Sequence, residues 1–362
     1  MVKSAYIHIP FCNSKCHYCS FVSFVRPDLK KDYLKILAKE IKFFYNHETL
    51  DTLYIGGGTP SILTPLEIEN IIRLFNINTN TEVTIEVNPE CGSYDFFRGI
   101  FDAGVNRISL GCQTFNDRTL KLINRHHNAG QVIDSVKTAQ DAGFKNISLD
   151  LIYGLPNQRN EDFLKDIELA IPLGIRHISL YGLKIETGCY FYSDLPANLP
   201  DDDIQADMYL SAVEFLTGKK FEQYEVSSFS KHGFNSRHNT AYWNNEEYYG
   251  FGIGAHGYQN GIRYANSDTI ETYLADFTLK KESKILTQKE IMEEEIFLGF
   301  RKSCGINVYA INSKFGIDFE DKYNSVLAKY INLNLIKKTK KGYKLTLRGI
   351  LVSNVVLSDF IN

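Results

Sequence analysis

Three cysteines stand at Cys12, Cys16 and Cys19, a CxxxCxxC spacing inside Pro10-Phe11-Cys12-Asn13-Ser14-Lys15-Cys16-His17-Tyr18-Cys19. Thiolates are soft ligands that suit iron–sulfur clusters and zinc. Three of them on one loop would leave one iron of a [4Fe-4S] cluster without a protein ligand. An open iron can bind a small molecule, whereas a closed four-cysteine site only holds or passes electrons. With 7 cysteines in 362 residues, composition alone gives roughly 0.003 chance matches to this spacing, so the pattern is a signal. Two plainer readings compete with it. Buried, inert cysteines are common singly, but Asn13, Ser14, Lys15 and His17 make a poor core loop. Zinc usually takes cysteines in separated pairs, and no second CxxC appears.

A second group that could do chemistry lies at Ser236-Arg237-His238-Asn239-Thr240-Ala241-Tyr242-Trp243, the start of the richest aromatic stretch, which holds the single Trp. His238 and Tyr242 are four apart, so a helical turn would align them on one face. The plain reading is an aromatic core with a satisfied His. The functional reading is a haem site with His238 as axial ligand.

The elements that must position these groups follow from periodicity. Ala5 to Ile9 alternates and predicts a strand, so the thiolates sit at a strand's carboxyl end, where α/β folds place their chemistry. Asp28 to His47 predicts a helix with one apolar stripe. Thr52 to Ile55 predicts a second strand running into Gly56-Gly57-Gly58-Thr59-Pro60. Consecutive glycines cost backbone entropy, and beside the cysteine motif they read as backbone brought close to a ligand rather than a plain turn. Thr64-Pro65-Leu66-Glu67 predicts a capped helix start. Thr81 to Val87 predicts a third strand with Glu86 opposite Val83, Ile85 and Val87. A solvent-facing Glu is the commoner case, but a parallel sheet is buried on both faces and a carboxylate there needs a partner.

A repeat completes the series. Ala103-Gly104-Val105-Asn106-Arg107-Ile108-Ser109-Leu110 recurs from Ala142 and again from Leu173. Each copy reads as a helix end with its glycine, then a strand, at βα spacing. Six βα units result, which predicts a partial, open (β/α)6 barrel at residues 1–190. The later strand ends carry Gln113, Arg125 and Asp150, each by itself a plausible structural hydrogen-bonding group. Cys91, Cys112, Cys189 and Cys304 are scattered and read as packing residues. Residues 191–283 read as a small α+β extension, with a helix from Asp203 to Leu216 and a strand over Glu222 to Phe229. Residues 284–362 read as a helical, winged-helix-like domain with a basic wing, Lys337-Lys338-Thr339-Lys340-Lys341.

Composition excludes several classes. No run of 18 apolar residues exists, so no spanning helix is expected. A strand begins within the first residues, which predicts no signal peptide. An odd cysteine count with three in a ligand set points to a reducing cytoplasm. The net charge of −3 carries no nucleic-acid bias. The segment from Lys281 onward has 14 Lys and Arg against 9 Asp and Glu, but one short basic wing offers few phosphate contacts, so no nucleic-acid partner is expected.

CxxxCxxC after the first strand of an α/β chain resembles the radical S-adenosylmethionine (SAM) superfamily, and Tyr6-Ile7-His8-Ile9-Pro10-Phe11-Cys12 resembles its coproporphyrinogen-dehydrogenase branch, which includes HemN and HemW. The resemblance implies a [4Fe-4S] cluster on Cys12, Cys16 and Cys19, with SAM chelating the open iron. It implies SAM contacts for Tyr6, Tyr18, Gly57, Gly58, Thr59 and Glu86. Gln113, Arg125 and Asp150 match positions that bind a second SAM in HemN. His238-Asn239-Thr240-Ala241-Tyr242 resembles the haem-binding motif of the HemW group, with His238 and Tyr242 as haem contacts. Two departures from the HemN pattern point the same way. Phe21 stands where those enzymes have a fourth cysteine, and Cys12 comes too early for their long N-terminal extension. The expectation is a haem chaperone that delivers haem to acceptor proteins, with membrane respiratory enzymes as acceptors. An electron donor for the cluster and a cytoplasmic location, peripheral at the inner membrane face, are further expectations. The alternative is an oxygen-independent coproporphyrinogen III oxidase, which would decarboxylate two propionates by radical chemistry. The resemblance alone leaves open whether the chain is an enzyme.

Overall fold

The computed structural model describes residues 1–361. The first half alternates strand and helix: β1 Ser4–Ile9, α1 Lys30–Phe44, β2 Thr52–Gly57, α2 Pro65–Ile72, β3 Glu82–Val87, α3 Tyr94–Asp102, β4 Arg107–Gln113, α4 Asp117–Leu122, α5 Ala129–Asp141, β5 Asn146–Tyr153, α6 Asn160–Ala170 and β6 His177–Gly182. The strands are parallel and neighbours in chain order. Among the described residues β1 and β6 do not pair, so the barrel stays open. The repeated glycines do what their spacing predicts: Gly104, Gly143 and Gly174 all have positive φ at the turn into a strand, a conformation that carries no Cβ penalty in glycine. Thr64 and Glu67 form the reciprocal capping box of α2.

The strands alternate more strictly than simple buried strands would. On one face Ala5, Ile7, Leu53, Ile55, Val83, Ile85, Ile108, Leu110, Ile147, Leu149, Ile178 and Leu180 join the main hydrophobic core. The opposite face carries Ser4, Tyr6, His8, Thr52, Tyr54, Glu82, Thr84, Glu86, Arg107, Ser109, Ser148, Asp150, His177, Ser179 and Tyr181, because successive side chains point to opposite sides. Most of these are buried too. The barrel interior is therefore polar, and its buried atoms must find partners inside it, while Tyr181, 45 % exposed, stands where the interior opens at the carboxyl ends of the strands.

The chain continues through α7 Tyr190–Ser193, α8 Asp202–Gly218, β7 Glu222–Gln223, β8 Ser228–Ser230, α9 Arg237–Trp243, β9 Tyr248–Phe251, β10 His256–Gln259, β11 Ile262–Asn266, α10 Ile270–Ala275 and β12 Lys280–Ile285. The single strand expected over Glu222 to Phe229 is two short strands, paired with each other after a turn. β8 adds antiparallel to β6, while β9 adds parallel to β1 and leads on to β10, β11 and β12. The segment thus covers both edges of the open barrel, which leaves neither exposed for pairing. Buried Glu40 on α1 ties down the β9 side. It accepts from the Gly252 amide at 2.7 Å, Asn266 Nδ2 at 2.8 Å and the Tyr273 hydroxyl at 2.7 Å.

The last segment holds α11 Gln288–Phe300, β13 Ile306–Asn307, α12 Val308–Phe315, α13 Phe319–Lys322, α14 Asn324–Asn332, β14 Ile336–Lys338, β15 Gly342–Leu345, α15 Leu347–Leu351 and α16 Ser353–Ser358. It has its own hydrophobic core, from Met292 to Phe360, and a three-stranded sheet whose β14–β15 hairpin is the basic wing. Cys112 and Cys189 are buried as packing residues, but Cys304 is exposed, a correction to the reading that all four scattered cysteines pack inside. It lies in the turn before Gly305, whose close backbone approach to Tyr343 fills that space. Among the described residues no helix is long and apolar enough to cross a membrane.

Candidate functional site

A cavity of about 530 Å³ lies at the carboxyl ends of the barrel strands, within the range of small-molecule and cofactor sites, about 300–1,000 Å³. Cys12, Cys16, Cys19, Tyr18, Gly57, Gly58, Thr59, Glu86, Gln113, Arg125 and Asp150 all line it. Residues from the first cysteine loop to the fifth strand thus converge because parallel strands present their carboxyl ends together.

The cysteine loop is held from both sides. The Cys12 amide donates to the Phe24 carbonyl at 3.1 Å and the Phe24 amide to the Pro10 carbonyl at 2.6 Å. The glycine run packs against it. A Cβ on Gly58 would lie 2.9 Å from Cys12 Sγ and 2.8 Å from the Phe11 carbonyl oxygen, and one on Gly57, at φ +121°, would strike the His8 ring. The glycines are needed for this run to lie against the cysteine loop and the His8 ring. All three thiols are free. Burial pushes the Cys12 thiol up and the Cys19 thiol up to about 11, so their ionisation awaits a cation. Among the described residues no three His, Cys, Asp or Glu side chains converge on one metal ion. A cubane asks for something else, thiolates spread over separate irons.

The far wall is built for a polar ligand. Gln113 is buried at a left-handed φ of 63°, beside a register slip between Gly111 and Gln113. Strain of this kind gathers at ligand sites. Its Oε1 has no partner, nor does Arg125 Nε. Buried polar atoms left unpaired are costly, so both fit a bound polar molecule. Arg125 also reaches Asn88 Oδ1 at 2.9 Å, the Gly111 carbonyl at 3.0 Å and Cys16 Sγ at 3.6 Å. It therefore links the far wall to the cluster loop. Asp150 accepts from Ser109 at 2.8 Å, and burial raises its carboxyl. Glu86 has the partners that its burial demands: the Tyr54 hydroxyl at 2.9 Å and the Gly57 amide at 3.0 Å. Desolvation still lifts its carboxyl to about 7, helped by nearby Asp150. The residues and the cavity fit a cluster and SAM.

Tyr6 lies deeper than the other candidates. It is not among the residues that line the cavity, and its hydroxyl meets His8 Nδ1 at 3.0 Å while its ring stacks on Tyr54. Tyr54, Asn88, Ser109 and Tyr181 also line the cavity, although nothing in their local sequence marks them. The one available signal for Tyr54 is its place on the same alternating face as Gly56.

At the amino end of the barrel α9 closes the floor. Glu82, at the start of β3, accepts from the Arg237 and His238 amides, a carboxylate at a helix N-terminus. His238 and Tyr242 do share a face of this helix, and His238 Nε2 lies 2.8 Å from the Tyr242 hydroxyl. His238 Nδ1 lies 2.8 Å from Thr52 Oγ1. The imidazole stacks on Tyr54 at 5.0 Å between centroids and is 1 % exposed. Both ring nitrogens are engaged, and burial lowers the ring's affinity for protons to a pKa of about 3. Nearby Arg107 is 2 % exposed with its Nε unpaired.

Comparison with known proteins agrees with this architecture. A model of the radical SAM superfamily matches residues 6–170, and one of the HemN C-terminal domain matches residues 286–352. Heme chaperone HemW of Lactococcus lactis is 39 % identical over 369 residues, spanning 99 % of this chain and 97 % of that protein. Its counterpart in Bacillus subtilis is 35 % identical and spans 99 % of both. Coproporphyrinogen III oxidase (HemN) from Escherichia coli has the same fold, with a TM-score of 0.87 at 22 % identity over 99 % of this chain and 90 % of that one. A radical SAM family implies a [4Fe-4S] cluster and SAM, and the chain belongs to the HemW family of radical SAM proteins.

Proposed function

We propose that this chain is a haem chaperone: it binds haem and hands it to acceptor proteins, and its barrel carries a [4Fe-4S] cluster and SAM. The observation that carries the reading is the full-length similarity, 39 % identity over 99 % of the chain, to a protein named as a heme chaperone. In this reading Cys12, Cys16 and Cys19 hold the cluster. Gly57, Gly58 and Thr59 bring backbone to SAM, Glu86 takes a hydroxyl of its ribose, and Tyr18, Gln113, Arg125 and Asp150 enclose it. When bound, such a cluster supplies one electron that cleaves SAM to methionine and a deoxyadenosyl radical. Tyr6 supports the site from below through His8 and Tyr54. His238 and Tyr242 serve the haem. The acceptors are membrane respiratory enzymes, and a reductant for the cluster is a further partner. The protein works in the cytoplasm, at the inner face of the membrane.

The test is a titration of ferric haem into anaerobically reconstituted protein, followed by transfer to a haem-free acceptor. Saturable one-to-one binding and transfer are expected, with no carbon dioxide released from coproporphyrinogen III. Catalytic decarboxylation without stable haem binding would replace the chaperone by an oxidase.

A further inference from the structure

The cysteine loop has an outer side as well as the inner one that faces the cavity. His17, next to Cys16, is its centre. Its Nδ1 donates to the Leu122 carbonyl at 2.9 Å, and its ring lies 4.4 Å from the Tyr190 ring between centroids. The His17 amide donates to the Ile123 carbonyl at 3.2 Å, and the Phe191 amide donates to the His17 carbonyl at 2.9 Å. Asn124 Nδ2 donates to the Lys15 carbonyl at 2.8 Å. The loop is thus clasped between the end of α4 and the short helix α7, and its outer side is continuous with both. Leu122 is 44 % exposed and Tyr190 50 %. An apolar and aromatic centre of this kind suits a contact surface.

The charge around that centre has one sign. Lys15, Arg118 and Lys121 are exposed. Arg118 lies three residues before Lys121 and four before Leu122, so α4 brings the three to one side. Among the described residues none of these cations forms an ion pair. The carboxylates nearby are committed elsewhere. Asp117 accepts from the Ala129 amide at 2.8 Å, Asp194 accepts from the Tyr190 hydroxyl at 2.6 Å, and Glu186 pairs with Lys184 at 2.6 Å. A second cavity, of about 490 Å³, is the opposite case. It lies between the aromatic segment and the C-terminal domain and is lined by Tyr242, and there Arg263 pairs with Glu294 and Lys284 with Glu290.

We propose that the face made by Lys15, His17, Arg118, Lys121, Leu122 and Tyr190 is where an acidic electron-transfer protein docks to reduce the cluster. This rests on the reading of Cys12, Cys16 and Cys19 as cluster ligands. Unmatched charge of one sign selects a partner of the other and speeds its encounter. A small contact suffices, because redox encounters bury less than about 1,200 Å². The donor approaches from outside the loop and does not enter the cavity that takes SAM. An anionic bilayer would also attract these cations, but the face is centred on His17, one residue from a cluster ligand, and only a redox partner gains from that position. With a flavin donor the exchange balances simply. The donor's anionic hydroquinone loses one electron and becomes the neutral semiquinone, the oxidised cluster gains that electron, and no proton moves.

The test uses the full chain, reconstituted anaerobically with iron and sulfide, and a small acidic FMN protein of the flavodoxin type as the probe. Two quantities are read. One is the affinity of the oxidised probe, which has no electron to give. The other is the rate at which the reduced probe bleaches the visible absorbance of the cluster. In the wild type both should fall steeply between about 50 and 500 mM salt. Arg118→Glu combined with Lys121→Glu should lower both by roughly tenfold or more at low salt. Lys145→Glu, at an exposed cation just before the amino end of β5, should leave both unchanged. Photoreduced deazariboflavin, small and uncharged, should reduce the cluster of every variant at the wild-type rate. Salt-independent binding and reduction in the wild type would overturn the inference even if the double variant does not fold. So would equal rates in the wild type and the folded double variant. So would a double variant that loses binding to phosphatidylglycerol vesicles but is reduced by the probe as before, which would give the face to a membrane. A wild type that takes up no iron and sulfide defeats the cluster reading on which the inference rests, a result distinct from a cluster reduced without regard to this face.

Discussion

The two ends of the barrel are built on opposite terms. At the carboxyl end the polar atoms are left wanting: Gln113 Oε1 and Arg125 Nε lack partners, and Glu86 is lifted to about 7. At the amino end the motif on α9 is closed, with both His238 nitrogens bonded and the helix start held by Glu82. Both ends draw on the polar inner face of the barrel, with Gln113 and Glu86 from its strands at one end and Thr52 and Glu82 at the other. The difference shows how one polar interior can keep a site ready for ligand at one end and seal the other. What distinguishes His238 from Gln113 and Arg125 is whether hydrogen bonds are completed by the protein or left open, with Arg107 Nε the exception at the amino end.

The sharpest way to break this comparison is at the cluster loop. Cys16→Ala should reduce iron and sulfide incorporation to background, while Cys304→Ser, at an exposed position away from the loop, should leave it unchanged. Iron and sulfide analysis after reconstitution checks both. Gly58→Ala comes next. Its Cβ would meet a backbone carbonyl that cannot swing away, so the apo-protein should lose about 3 kcal/mol in urea unfolding, with poorer iron uptake.

The two ends should also respond to pH with opposite slopes. His238 has a folded pKa near 3, below its usual 6.5. Its contribution to stability is complete above about 6.5 and is lost as pH falls toward 3. The wild type should therefore lose about 2–3 kcal/mol from this group between pH 7 and 4.5, a slope absent from His238→Gln. Glu86 runs the other way. Its carboxyl is raised from 4.5 to about 7, so the folded ligand-free protein holds the proton longer than the unfolded chain. Stability is then lost as pH rises through that window, by about 1–2 kcal/mol for a group with an edge on the cavity. Glu86→Gln should remove that loss. Unfolding free energies at several pH values, compared between variants, check both slopes. Equal slopes in wild type and variants would show that neither end behaves as its burial implies.

Much of this was readable from local pattern. CxxxCxxC, the glycine run and the thrice-repeated helix–glycine–strand unit each use a short stretch of chain, and the structure places them as the spacing predicts. Less readable was the strand face on which each polar residue would matter. Tyr54 and Asn88 carry no motif. Tyr54 matters because the β2 register sets it beside Tyr6 and because Glu86 and His238 come to it from distant parts of the chain. The edge strands were hidden for the same reason. β9 joins β1 across more than two hundred residues of sequence, and no periodicity encodes a partner so remote.

His238 and Tyr242 divide the question most clearly. Their four-residue spacing on a short helix is a property of the sequence, since helical geometry alone puts them on one face. Which of the two is sealed and which meets a cavity depends on Thr52, Tyr54 and α11, groups brought together only when the sheet forms and the C-terminal domain docks. The order of residues determined which side chains could bind metal and cofactor. Tertiary packing decided which were left open to do so, because burial and the completion of hydrogen bonds are settled by neighbours far away in the chain.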